Sequence, residues 1–208
     1  MSKLFSFIFL VFSNLLFSQN YAVSAIPENL LHKANAVVRN DETIIDINAI
    51  DNMVQTYNKT ITILNKSGEN FSSIRIPYDK SVSVSNIKVS ILDQNGKVIK
   101  KYSKSDFIDA SHSPSFSFYD DSRILFLNYM SISYPYSIQY SYTTETRNTV
   151  FMQDFFPIDG YNISTEKTSL AINNKSGIRL RTKVHENDFA KISFTENGQK
   201  YSYSFSNV

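Results

Sequence analysis

Apolar and polar residues alternate with a period of two over most of the chain after residue 35. The strongest example is the stretch 133–146, SYPYSIQYSYTTET. Five of its residues share one parity: Tyr134, Tyr136, Ile138, Tyr140 and Tyr142. Strict alternation is typical of a strand with one buried face, and Pro135 suits a strand entrance or an edge. We interpret the tyrosine parity as the face that points into a core.

Similar segments, separated by turn signals, predict the remaining strands. We expect three hairpins: 53–65 with 71–78, 82–92 with 97–102 around Asn95-Gly96, and 192–195 with 201–205 around Asn197-Gly198. Further strand segments are expected at 36–38, 43–47, 123–131, 163–172 and 178–184. This spacing predicts an all-β fold, an antiparallel β-sandwich of about ten to twelve strands. Residues 24–35, which include Pro27, predict a short N-terminal helix over one end of the sheets.

Composition excludes several classes of function. The chain has 21 basic and 19 acidic residues interspersed along it, and its formal net charge is +2. Because there is no basic stripe, nucleic-acid binding is not expected. The absence of cysteine excludes a disulfide framework, a cysteine-based zinc site and a cysteine nucleophile. No motif predicts a cofactor.

The first eighteen residues resemble a secretory signal peptide. Lys3 gives a basic start, residues 4–17 form an apolar run, and Ser18 is a small residue before Gln19. We therefore expect cleavage near Ser18, a mature domain over 19–208, and a periplasmic or secreted location. The apolar run is shorter than a membrane-spanning helix, so no stable span is expected after cleavage; an uncleaved anchor is the alternative.

The stretch 103–121 is the longest one without clear periodicity, and loops of this length often carry function. Its acidic residues and histidine are Asp106, Asp109, His112, Asp120 and Asp121. A hydrolase that uses these groups is one alternative, although no GxSxG motif supports it. The regular spacing of a calcium loop is missing. His32, His112 and His185 lack metal-ligand spacing, so no metal site is expected.

Two groups of residues are candidate contact sites. Phe151, Phe155 and Phe156 lie in the aromatic stretch 150–157, VFMQDFFP, where aromatic residues of both parities must cover two faces. Because exposed aromatic side chains hold sugars or partner proteins, we expect these phenylalanines to form a contact surface. Asp121 and Arg123 are interpreted as a structural ion pair or turn cap, with a ligand contact as the alternative.

Several blocks of the chain resemble a known family. FSFYDDSRILFLNY, SYPYSIQYSY and NTVFMQDFFPIDGYNIS, preceded by YAVSAIPENLLHKANAVVRNDE, are similar in content and order to DUF3857, a domain common in Bacteroidetes proteins. The resemblance covers roughly residues 21–208. It implies an exported β-sandwich that, in longer relatives, precedes a transglutaminase-like domain. No catalytic residue is implied in the matching region.

The resemblance and the residues together favour a non-catalytic exported module that accompanies or docks a transglutaminase-like domain or another envelope protein. A stand-alone glycan- or peptide-binding sandwich is the alternative. The alternating pattern still continues at Phe205 without a polar tail. We therefore expect either a short family member or a domain that is truncated at its C-terminal end.

Overall fold

The computed structural model describes residues 21–111, 121–131, 133–150, 152, 155–156, 158–183 and 192–207. Within these ranges the backbone forms twelve strands: β1 (Ala36–Ala49), β2 (Asn52–Ile63), β3 (Ser73–Tyr78), β4 (Val82–Leu92), β5 (Val98–Ser103), β6 (Ile108–Ser111), β7 (Arg123–Asn128), β8 (Tyr136–Thr146), β9 (Ile163–Thr165), β10 (Lys167–Asn174), β11 (Ser193–Asn197) and β12 (Lys200–Ser206). The helical pieces in the same ranges are short 3-10 helices: Val23–Ala25, Glu28–Leu30, Lys66–Phe71 and Lys104–Asp106.

The strands form two sheets that pack in a sandwich-like arrangement. The large sheet has the order β11-β12-β10-β1-β2-β8-β4-β5, and β9 pairs with the start of β1. The small sheet has the order β3-β7-β6. We call the face of the large sheet that the small sheet covers the inner face. The protein is therefore mostly β, as the alternation predicts.

Two apolar clusters lie on the inner face. The first joins the two sheets, with Ile63 and Ile91 of the large sheet packed against Ile76 of the small one, all 0% exposed. Each such side chain contributes about 1.5–3 kcal/mol by leaving water. The second cluster lies farther along β1 and β2 and includes Ile45, Ile47, Met53, Leu170, Ile172 and Tyr201. The core is thus divided along the strands.

The predicted N-terminal helix is wrong, because residues 23–30 form two 3-10 turns instead. Pro27 stands between the turns, where its missing N–H donor would leave a gap in a continuous helix. The segment still acts as a cover. Ile26 and Leu30 pack against Val37 on the face opposite the small sheet, and Val23 N donates to the Gln94 carbonyl at 2.9 Å.

The predicted antiparallel sandwich is wrong in the direction of two pairings, since β1 pairs in parallel with both β9 and β10. The cause is the path of the chain after β8. That strand ends with Thr146 beside Met53, near the β1–β2 turn. The chain then returns to the opposite end of the sheet, where Ile163 pairs with Ala36. It therefore enters β9 in the same direction as β1, and the large sheet is mixed.

Two of the three expected hairpins form. β4 pairs with β5 and β11 pairs with β12, through turns in which Gly96 and Gly198 have the positive φ that such turns require. The expected pairing of 53–65 with 71–78 is wrong, because β2 lies between β1 and β8 while β3 pairs with β7. The 3-10 helix Lys66–Phe71 carries the chain from one sheet to the other. The expected strand at 178–184 does not form at its described residues 178–183, which have no regular structure.

Candidate functional site

The described residues between 149 and 162, namely 149–150, 152, 155–156 and 158–162, lie along the inner face of the large sheet, and we call them the strap. At one end the Thr149 hydroxyl donates a hydrogen bond to the Ile50 carbonyl in the β1–β2 turn. At the other end Asn35 N donates to the Asn162 carbonyl at 2.7 Å, just before β1. The two ends of the strap therefore lie at opposite ends of β1, and its residues Met152 and Phe155 contact the second apolar cluster.

The two sides of the strap differ in exposure. Met152 and Phe155 are partly buried and pack against the cluster of Ile45, Ile47 and Met53. Other apolar side chains of the strap face solvent, and we call them the outward row: Val150 (79% exposed), Phe156 (73%), Ile158 (36%) and Tyr161 (94%). Aromatic side chains exposed to this degree are typical of surfaces that contact a partner.

Lys59 of β2 fastens the strap to the sheet. Its Nζ lies 2.7 Å from Asp41 Oδ2 and 2.5 Å from Asp159 Oδ2 of the strap. Only 16% of the Lys59 side chain is exposed. Burial lowers the pKa of Lys59, but Tyr140, Asp41 and Asp159 raise it by more, so the net pKa lies above its ordinary value. The ammonium is therefore charged at neutral pH.

Three tyrosines lie beside Lys59 on the inner face. The rings of Tyr57 and Tyr142 stack with their centroids 4.5 Å apart, and the Tyr140 ring lies parallel to Tyr142 at 6.5 Å. Burial raises the pKa of Tyr57 and of Tyr140 to about 12, and it also raises the pKa of Tyr142. The three phenols therefore stay protonated at neutral pH.

These residues line a cleft of about 280 Å³ between the strap and the sheet, which we call the strap cleft. Its aromatic and charged walls are formed by Tyr57, Tyr140, Tyr142, Phe155, Phe156, Asp41, Lys59 and Asp159. A second cleft of about 230 Å³ shares the walls of Tyr57 and Tyr142 and extends to Pro77 of β3. The strap cleft combines aromatic walls with a few polar groups, which is the usual composition of a ligand site.

The predicted contact residues divide between two places. Phe155 and Phe156 both line the strap cleft, whereas Phe151 lies outside the described residues. Asp121 and Arg123 lie at a different cavity, of about 300 Å³, beside Tyr78 and Lys80. The structure therefore brings neither of the two charged residues to the strap.

Asp121 and Arg123 form ion pairs, but with other partners. Arg123 Nη2 lies 2.9 Å from Asp109 Oδ1, and Asp121 Oδ2 lies 2.7 Å from Lys80 Nζ. A hydrogen bond from Tyr78 and contacts with Arg123 lower the pKa of Asp109. These side chains are largely exposed, so the pairs contribute little to stability.

The 103–121 stretch is partly regular. Asp106 caps the 3-10 helix Lys104–Asp106 through the backbone N–H of Ser103, and Asp109 lies in β6. The three acids of the hydrolase alternative that are described, Asp106, Asp109 and Asp121, thus have structural partners. His112 and Asp120 lie outside the described residues, as does His185. Among the residues that are described, no three His, Asp or Glu side chains group as metal ligands would.

Pattern reasoning missed Lys59, Asp41 and Asp159. One signal could have found Lys59: it shares the parity of Ile61 and Ile63 in an alternating strand, so it had to point into the core. A lysine in that position requires a carboxylate partner. Asp41 falls between the expected strand segments 36–38 and 43–47, yet it lies within the continuous strand β1 and pairs across from Lys59. Asp159 could not be found in this way, because the strap has no periodic pattern.

The two-sheet β fold agrees with comparisons to known proteins. A family model described as a domain of unknown function with a solved structure, DUF3857, matches residues 51–208. The chain therefore belongs to the DUF3857 family. The match begins later than the resemblance from residue 21 suggested, and it leaves out β1, although β1 pairs with β2 along its length. No curated protein matches the chain.

Solved structures also resemble this fold. A protein from Parabacteroides distasonis, described as a candidate protease, superposes with a TM-score of 0.66 at 12% identity over 84% of this chain and 36% of that one. A candidate nutrient-binding protein from Legionella pneumophila gives a TM-score of 0.38 at 13% identity, over 84% and 64% of the two chains. Yeast LTA4 hydrolase gives 0.36 at 9% identity, over 91% and 31%.

The Parabacteroides protein shares the fold, and the other two are too distant to add to that conclusion. This chain spans about a third of the length of the Parabacteroides protein (36%). In the part of the present chain that is described, no helix is both long and apolar enough to cross a membrane.

Proposed function

We propose that this protein is a non-catalytic, exported β module that docks a neighbouring folded domain through the outward row of its strap. The observation that carries the proposal is the exposure of Phe156 (73%) and Tyr161 (94%) on a segment whose other side is anchored in the core. Because Met152 and Phe155 already pack against the core, binding of a partner to this segment costs less conformational entropy than binding to a free chain would.

A further solvent-exposed apolar side chain, outside the strap, extends this surface at one end. Ile50, in the β1–β2 turn, is 72% exposed, and its carbonyl accepts the hydrogen bond from Thr149 next to Val150. The two apolar side chains therefore belong to adjacent backbone segments. A partner that covers Val150 also meets Ile50, which enlarges the apolar area that docking removes from water.

The proposed occupant is a domain of the transglutaminase-like type, as the family resemblance suggests. The comparison with the Parabacteroides structure supports a neighbouring domain, since the shared fold occupies 36% of that longer chain. Transglutaminase-like chemistry by this chain itself has no support from its residue types, because the thiol of that chemistry needs a cysteine and the chain has none.

The proposal can be tested by measuring binding to a transglutaminase-like domain from a longer family member. We expect Phe156→Ser to weaken binding by about tenfold or more, as for an aromatic anchor. Ile99→Ser is the matched control, because Ile99 is also exposed (55%) but lies on the edge strand β5. Equal losses in the two variants, or no binding by the unaltered chain, would count against docking through the strap.

Export and the lack of catalysis need separate measurements. We expect the protein in the cell envelope to begin near Gln19, and an intact Met1 there would contradict cleavage. We also expect no amidase, protease or transglutaminase turnover by the purified chain. Turnover that persists through repeated purification would overturn the non-catalytic part of the proposal without affecting the docking part.

A further inference from the structure

The strap cleft adjoins the outward row, and Phe156 belongs to both. Its walls include the stacked rings of Tyr57 and Tyr142 and the two strap residues Phe155 and Phe156. Among the described residues, one ammonium and two carboxylates line it, which gives these charged groups a net charge of −1. Aromatic faces and a net negative charge both attract cations.

We propose that the strap cleft binds the guanidinium group of an arginine side chain presented by a polypeptide. Asp41 and Asp159 each contact Lys59 through Oδ2, and a carboxylate has a second oxygen that can accept a hydrogen bond. A bound guanidinium would bring the four charged groups to neutrality. An anion would instead meet two carboxylates whose one counterion is already engaged.

The size of the cleft and the chemistry of its walls favour a single planar side chain. Its volume of about 280 Å³ lies just below the range of about 300–1,000 Å³ that holds drug-sized ligands. Guanidinium stacks on aromatic rings and can donate to more than one acceptor in its plane, whereas the ammonium of lysine is a compact and strongly hydrated charge. Arginine is therefore the preferred ligand over lysine.

The neutral tyrosines complete the recognition. Because burial raises the pKa of Tyr57 and Tyr140 to about 12, their phenols do not add negative charge at neutral pH. Discrimination between a charged and an uncharged ligand thus depends on the carboxylates and on the aromatic faces. This inference does not rest on the docking role, since it concerns a cavity that the isolated chain already contains.

The test compares two capped amino acids of nearly equal shape with the unaltered protein. N-acetyl-arginine methylamide carries the guanidinium, and N-acetyl-citrulline methylamide replaces it by a neutral urea. We expect the arginine probe to bind about tenfold more tightly by calorimetric titration and to shift the ring signals of Tyr57 and Tyr142 in NMR spectra. Equal affinity of the two probes, or shifts confined to other tyrosines, would overturn the proposal.

Free arginine serves as a third probe to separate a free amino acid from a peptide. Affinity equal to that of the capped form supports recognition of the side chain alone, and weaker affinity supports a peptide ligand whose backbone also contributes. Asp41→Asn should reduce the preference for arginine over citrulline to less than about threefold, because it removes one charge from the cleft. Asp121→Asn, far from the cleft at the Lys80 pair, should leave the preference unchanged. Loss of the preference in both variants would contradict binding at the strap cleft.

Discussion

Replacing Asp159 by asparagine should release the strap while leaving the sandwich folded. The substitution removes one of the two carboxylates that contact Lys59 but keeps Asp41, so Lys59 is not left as an unpaired charge. The pair has side-chain exposures of 16% and 34%, which places it between a surface ion pair and a buried one.

The magnitude follows from these exposures. Surface pairs contribute up to about 1 kcal/mol, while breaking a fully buried pair costs about 3–5 kcal/mol. Because Asp159 is partly solvated and Asp41 still neutralises Lys59, we expect Asp159→Asn to lower the free energy of unfolding by about 1–2 kcal/mol. The Lys80–Asp121 pair has exposures of 82% and 56%, so Asp121→Asn is a control that should change stability by less than about 0.5 kcal/mol.

Two measurements check this prediction. Urea unfolding should show the difference in free energy between the two variants. Hydrogen exchange should show faster exchange of strap amides in Asp159→Asn, with unchanged protection in β2 and β8. If Asp159→Asn is no less stable than Asp121→Asn and its strap exchanges at the rate of the unaltered protein, then Lys59 does not hold the strap.

Three further substitutions or conditions probe the packing. Phe155→Ser should lower the free energy of unfolding by about 2 kcal/mol because Phe155 is partly buried, whereas Phe156→Ser should change it by less than about 0.5 kcal/mol. Equal losses of stability in urea unfolding would contradict this difference in burial. Gly68→Ala should lower the stability measured by thermal unfolding by about 2 kcal/mol, since the added Cβ would lie 2.3 Å from the Asn35 carbonyl oxygen. An unchanged melting temperature would show that the turn can rearrange to accept the Cβ. Raising the pH above about 10 should destabilise the fold, because phenols with a raised folded pKa ionise first in the unfolded state. Tyr142→Phe should lose less stability than the unaltered protein over this pH range. Identical pH profiles of stability would show that Tyr142 is not a cause of the loss.

Strand positions were predictable because the alternation of β2, β4 and β8 has a direct physical cause. One face of each strand is buried, so residues such as Ile61, Val89 and Ile138 recur at every second position. The two Asn-Gly turns could also be predicted from the sequence, since Gly96 and Gly198 supply the positive φ that such turns require. Local rules of this kind operate within a few residues, and the sequence displays them.

Strand pairing was not predictable in the same way. Alternation predicts that β2 and β3 each have one buried face. Those two faces can be buried whether the strands pair in one sheet or lie in two packed sheets. The change of layer depends on the turn Lys66–Phe71, and the parallel entry of β9 depends on the strap. Neither segment has a periodic pattern, so long-range packing decides the direction of the chain there.

The candidate site was predicted only in part. The aromatic content of 150–157 pointed to Phe155 and Phe156, and both lie at the strap cleft. Their different exposures could not be read from neighbouring positions in a segment without regular structure. The carboxylates that surround Lys59 come from positions 41 and 159, and only the fold brings residues so distant in the chain together.

A hydrogen-exchange footprint tests the docking role of the strap most directly. The chain is compared alone and in complex with a transglutaminase-like domain from a longer family member. We predict slower exchange in the described part of the strap and in the β1–β2 turn at Ile50, with edge strands β5 and β11 unchanged. Protection confined to those edge strands, with the strap exchanging as in the free chain, would contradict docking through the strap.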